Sequence, residues 1–111
     1  MTVTVKNIIP RKQMEATQTG QYTASGVTTI IDKFTVTNTS AANVAFSVNL
    51  IANGDTAGDS NLVLKNRTLA PNETYTCPEL VGQVLQAGGF ISTLAGAASS
   101  LTISASGREI T

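Results

Sequence analysis

The chain has no histidine, no tryptophan and a single cysteine among 111 residues. One cysteine excludes an intramolecular disulfide. Without histidine there is no His–Cys zinc site and no histidine-dependent catalytic dyad or triad. Charged residues make up only 13%, about half the usual share. Seven basic and seven acidic side chains cancel to zero net charge. That balance excludes nucleic-acid binding by bulk charge, and with 41% hydrophobic residues it also excludes a disordered chain. Aromatics are 5%, with two tyrosines and three phenylalanines, which leaves thin support for the stacking platforms that sugar-binding proteins use.

What the chain has instead is small polar residues: 17 Thr, 9 Ser and 8 Asn. Threonine with Val and Ile suits a pleated, half-buried surface; Asn, Ser and Gly suit the turns between strands. The expectation is an all-β, single-domain chain over residues 1–111, a β-sandwich of jelly-roll or Ig-like type with about seven to eight short strands. No internal repeat, linker or low-complexity segment appears. Met1–Lys6 alternates Thr and Val with no apolar core of a signal peptide, so cytoplasmic synthesis is expected. Leu80–Gly107 holds 28 uncharged residues, long enough for a membrane span, but Gln83, Gln86, a Gly pair and many hydroxyls make it unsuitable.

Along the chain, Val3, Val5 and Ile8 or Ile9 open a first strand that Pro10 ends or places at an edge. Residues 11–26 have few apolar anchors and two glycines, and read as a polar loop or arm, with a short strand near Gln21–Ala24 as the alternative. Val27–Asn38 and Asn43–Ile51 read as an antiparallel hairpin. In the second strand Val44, Phe46, Val48 and Leu50 share the buried face. Leu62–Leu69 and Glu73–Cys77 are further strands. Pro78–Gln86 carries helix-start signals, Pro78 and Glu79, ahead of Leu80, Val81, Val84 and Leu85, which predicts one short helix near 78–86. Phe90–Leu94 and Leu101–Ile110 then read as a closing hairpin.

Candidate chemistry is sparse. Asp55 and Asp59, with Asn53, Ser60 and Asn61, offer oxygen donors for calcium, but the spacing of a calcium loop is missing and a solvated loop is the simpler reading. Cys77 precedes the predicted helix, where a thiol can be activated, but has no base and reads as a core residue. Lys6, Arg11 and Lys12 gather near the first strand against one acid, Glu15; such a group can grip an acidic partner surface or simply be solvated. Sequons occur at Asn38, Asn66 and Asn72, without a secretory signal to make them meaningful. The expectation is a non-enzyme with no catalytic residue, cofactor or metal, and no nucleic-acid or membrane partner.

One segment runs Arg67-Thr-Leu-Ala-Pro-Asn-Glu-Thr-Tyr-Thr-Cys-Pro-Glu-Leu-Val-Gly-Gln-Val-Leu-Gln-Ala-Gly-Gly-Phe-Ile. With the start Asn7-Ile-Ile-Pro-Arg-Lys-Gln and the ending Leu101-Thr-Ile-Ser-Ala-Ser-Gly-Arg-Glu-Ile-Thr, it resembles small virion structural proteins of tailed bacteriophages. At its full length the chain is similar to the capsid decoration proteins, called staple or cement proteins, of short-tailed phages of the epsilon-fifteen type. The resemblance implies a jelly-roll-like sandwich on the outer capsid surface of the virion, bound to the major capsid protein and dimerising across two-fold positions. It carries no catalytic residue. The competing expectations are a neck or tail connector ring subunit and, from another class, a carbohydrate-binding module on the virion surface.

Overall fold

The computed structural model describes all residues Met1–Thr111. Nine strands follow in chain order: β1 Val3–Gln13, β2 Thr19–Thr23, β3 Thr28–Asn38, β4 Val44–Ile51, β5 Leu62–Leu69, β6 Thr74–Tyr75, β7 Val84–Leu85, β8 Phe90–Ala95 and β9 Leu101–Ile110. A single 3-10 turn at Asp59–Asn61 is the only helical element.

Two antiparallel sheets pack face to face. The larger has the order β1-β9-β3-β6, with β7 also on β3; the smaller has the order β2-β8-β4-β5. β6 lies against Val36–Thr37 and β7 against Thr29–Ile30, so together they act as one interrupted strand along the same edge of β3. Counted so, the order is that of a jelly roll, in which the first strand pairs with the last and successive strands mostly change sheet. The molecule is elongated, 46 × 26 × 20 Å.

The core forms because inward positions of both sheets are apolar. Ile31, Phe34 and Val36 of β3, Leu101 and Ile103 of β9, Phe46 and Val48 of β4, and Ile91 of β8 are all fully buried. Full burial of such a side chain contributes roughly 1.5–3 kcal/mol. In β4 the expected row Val44, Phe46, Val48 and Leu50 holds: the first three are buried, and Leu50, half-buried at the end of the strand, packs against the core opposite Ile91, while Ile51 is buried outside the core cluster. The register shifts beside Val48 place their extra residues on β5 and leave the alternation of β4 intact. In β3 a bulge between Ile31 and Lys33 does shift the alternation, making Ile31 rather than Ile30 the buried residue and turning Asp32 and Lys33 both outward.

The expected helix over 78–86 does not form. Gly82 and Cys77 both adopt positive φ, 87° and 46°, which interrupt any helical run. The segment is built of tight turns closed by Leu80 N–H to Cys77 O, 2.9 Å, and Gln83 N–H to Leu80 O, 3.2 Å. Gly82 N–H then donates to Ile31 O at 2.7 Å, and Ile31 N–H to Gln83 O at 3.0 Å. An open edge of β3 offers partners to this backbone, and a two-turn helix cannot compete with them. Leu80 and Leu85 are buried while Val81 and Val84 are exposed, so the apolar stripe is split.

Neither expected hairpin pairs. β3 and β4 lie in opposite sheets, as do β8 and β9. The connection after β3 is an arch pinned by Asn38, which is fully buried. Its Nδ2 donates to Ala42 O (2.8 Å) and Leu69 O (3.0 Å), and its Oδ1 accepts from Ser40 N–H (2.9 Å) and Oγ (2.7 Å).

The expected arm at 11–26 is largely strand. β1 continues to Gln13, Met14 is buried, and Thr19–Thr23 is β2 on β8. Its polar side chains serve the sandwich: Gln18 Nε2 donates to Ser92 Oγ at 2.7 Å and Gln21 Nε2 to Thr93 Oγ1 at 2.9 Å.

Candidate functional site

The chemistry-bearing residues distribute unevenly over the sandwich. Cys77 is buried with its thiol pushed up to about 12, first by burial and then by the Glu79 carboxylate. A thiol so protonated is no nucleophile at neutral pH. The loop of Asp55 and Asp59 is organised by Asn61, whose Oδ1 accepts from Gly58 N–H (3.1 Å) and Asn49 Nδ2 (2.7 Å) and whose Nδ2 donates to Thr56 O (2.8 Å). Asp59 faces Lys65 at 3.7 Å. No group of three or more Asp, Glu, Cys or His side chains converges anywhere.

An apolar cleft of about 420 Å³ opens at one end, lined by Leu50, Ile51, Val84 and Leu85 among others, with no titratable side chain. At the other end of the same edge, the Arg67 guanidinium lies 4.1 Å from the centre of the Tyr75 ring, and Tyr75 donates to Glu79 Oε2 at 2.7 Å. That hydrogen bond holds the Glu79 carboxyl below its ordinary range and raises the phenol. The trio joins β5 of the smaller sheet to β6 of the larger.

Of the three cations singled out in the sequence, two are engaged on the inter-sheet side. Lys6 Nζ is 3.3 Å from Glu109, and Lys12 Nζ is 2.8 Å from Glu15. The Lys12 hydrogen bond, with one from Gln21, holds the Glu15 carboxyl below its ordinary range. Arg11 is different. It forms no ion pair and lines a hollow of about 360 Å³ on the outer face of the larger sheet. Lys33, not anticipated from the sequence, lines the same hollow, also outside any ion pair. Thr35, Ser104 and Ser106 supply hydroxyls, and no carboxylate lines it.

Local geometry explains the meeting. The β3 bulge turns Asp32 and Lys33 outward together. Asp32 then pairs with Arg108 at 3.0 Å, leaving Lys33 for the hollow. In β1, register shifts between Lys6 and Ile9 and between Ile9 and Lys12 rotate Arg11 outward, away from its neighbour Lys12. Asn7, its amide oriented to suit its surroundings, anchors the first shift by donating to Ala105 O at 3.0 Å and Ile9 O at 3.3 Å.

The rest of this outer face is banded. On one side of the hollow, Gln13, Thr102, Thr37 and Thr74 stand in register across β1, β9, β3 and β6. Gln13 Nε2 donates to Thr102 Oγ1 at 3.0 Å, and the Thr37 and Thr74 hydroxyls lie 2.8 Å apart. On the other side, Val3, Val5, Ile30, Ile110 and Val84 form an apolar band that Arg108, paired with Asp32, interrupts between Val5 and Ile30. Val5 is 82% exposed and Val3 51%. The face is therefore a wide, nearly flat surface with one cationic depression flanked by a hydroxyl band and an apolar band. Comparison with known proteins finds no matching family model, no matching curated protein and no matching solved structure.

Proposed function

We propose that this protein is a non-enzymatic decoration protein that lays the outer face of its larger sheet on a protein shell, a phage capsid, and clamps neighbouring shell subunits. The observation that carries the reading is the hollow shared by Arg11 and Lys33. Two cations without carboxylate partners stand among three hydroxyls in a chain whose other ion pairs are internally closed. Such a depression accepts an acidic side chain, with the guanidinium and ammonium donating and the hydroxyls completing the shell of donors. The flanking uncharged bands supply broad contact without like-charge repulsion. The jelly-roll strand order, a fold used in viral capsids, and the resemblance in Arg67–Ile91 and in the ending Leu101–Thr111 point the same way by analogy.

The test is co-sedimentation of the purified chain with capsid shells that lack it, across a range of salt. Saturable binding that weakens with salt, lost when Arg11 and Lys33 are neutralised together, supports the reading. Absence from the shell pellet at every salt concentration overturns it.

A further inference from the structure

We infer that two copies of this chain associate edge to edge through Val3–Lys6 of β1, with Val3 of one copy hydrogen-bonded to the partner's Val5. The reasoning starts from the backbone. β1 is an edge strand, paired on one side only, with β9. Thr2 and Thr111 exchange both of their hydrogen bonds, Thr2 N–H to Thr111 O at 3.3 Å and Thr111 N–H to Thr2 O at 2.9 Å. In an antiparallel ladder such pairs alternate. Thr4, opposite Glu109, and Lys6, opposite Gly107, therefore turn their N–H and C=O toward β9, and Val3 and Val5 turn theirs toward the free edge.

The sandwich protects its other edges. β5 carries Lys65 and Arg67 and is kinked at Asn66, whose φ is 50°. β2 has five residues and a register shift beside Gly20. β6 and β7 have two residues each. The later part of β1 holds Pro10 and two register shifts. These are the usual devices that keep an edge from pairing with another chain. The stretch Val3–Val5 has none of them. Its register is regular, its side chains carry no charge, and the neighbouring Lys6 is turned to Glu109.

A two-fold axis at Thr4 satisfies all the free groups at once. Val3 then faces the partner's Val5, and Val5 the partner's Val3, each pair exchanging two hydrogen bonds, while Lys6 faces the partner's Thr2 and no like charges are opposed. The valine side chains of both copies lie on the outer face, where Val3 stands opposite Ile110 and Val5 opposite Arg108 of its own sheet. Pairing joins the two apolar bands and removes the most exposed valine, Val5, from water.

This inference does not rest on shell binding, and the experiment keeps the two apart because it uses the purified full chain alone. Sedimentation is followed up to about 1 mM, the weak end of specific association. The amides of Val3 and Val5 are followed by hydrogen exchange at the same concentrations. The expected result is a monomer–dimer equilibrium in which these two amides, which have no acceptor within the protomer, become protected as dimer forms. Val5→Pro deletes one edge donor without touching a bond to β9 and is expected to weaken dimerisation at least about tenfold. Val5→Lys keeps the donor but adds charge at the seam, and is expected to do the same, with melting of the dilute monomer unchanged for both. A chain that stays monomeric throughout, a dimer whose Val3 and Val5 amides exchange freely, or a Val5→Lys variant that dimerises like wild type overturns the inference.

Discussion

Tyr22 of β2 donates its phenolic hydrogen bond to Glu109 Oε2 of β9, tying the two sheets together at the end where the core gives out. The same phenol lies 2.7 Å from Thr29 Oγ1, and Lys6 Nζ reaches the same carboxylate oxygen at 3.3 Å. Tyr22 holds Glu109 below the ordinary carboxylate range; burial, then the hydrogen bond to Glu109, pushes Tyr22 up to about 12.

These shifts set a pH profile. Glu109 is lowered in the fold, so its contribution is present above the ordinary value of 4.5 and is lost as pH falls through the folded value. Tyr22 is raised, so its contribution is present below 10 and is lost as pH rises toward about 12. Tyr22→Phe keeps the ring and removes the bridge. Urea midpoints measured against pH should show a flatter decline for this variant at both extremes.

Cys77 adds to the alkaline side. Its thiol rises from 9 to about 12 on burial, so stability it supplies is lost between those values. A thiol reagent at pH 8 should leave the native protein unmodified and react stoichiometrically once urea unfolds it. Fast modification of the folded chain would place the thiol at the surface.

Asn38 is the polar node of the core. Replacing it with Ala strands Leu69 O and Ser40 N–H, each costing about 1–3 kcal/mol if left unpaired. Urea unfolding of Asn38→Ala should show that loss, and Asn38→Leu should fare no better.

Two core substitutions should fail for opposite reasons. Phe46 is 1% exposed, and Phe46→Ala should cost about 3–5 kcal/mol through the cavity it leaves. Gly107 sits where a Cβ would lie 2.4 Å from Ile30 O, so Gly107→Ala must push β9 from β3 and should cost about 1–3 kcal/mol. Thermal melts of each variant check both figures.

On the outer face, Arg11→Gln with Lys33→Gln should leave the melting temperature within a degree or two, since neither cation holds an ion pair. Lys6→Gln and Lys12→Gln should disturb shell binding less, because both side chains face Glu109 and Glu15. Co-sedimentation of the three variants side by side measures the contrast. Equal losses would return the contact to the chain's first strand as a whole.

Strand composition and the alternation of Val44, Phe46 and Val48 were legible from the sequence because burial imposes a period of two on one face. Which strands pair was not. An arch between sheets and a hairpin within one leave the same alternation on both flanks, and only the hydrogen bonds of Asn38 distinguish them. The apolar residues of 78–86 satisfied a helical template, yet the decisive fact was a distant one, the open edge of β3 at Ile31. Arg11 was visible as a cation, whereas Lys33 was hidden because its outward turn depends on a bulge that only an interruption at Asp32 hinted at. The core is written locally; register and the company that surface charges keep are settled by contacts far apart in sequence.

The place of β9, inserted between β1 and β3, also dictates the order of assembly on the ribosome. β3 ends at Asn38 and β9 begins at Leu101, so two strands of the larger sheet emerge long before the one that joins them. At roughly 5–20 residues per second, that interval is about 3–13 seconds. Throughout it β1 has both edges bare and the apolar side of β3 lacks its neighbour. The nascent chain is then at its most adhesive, and chaperone demand should peak before Leu101 is made and collapse once the last strand slots home.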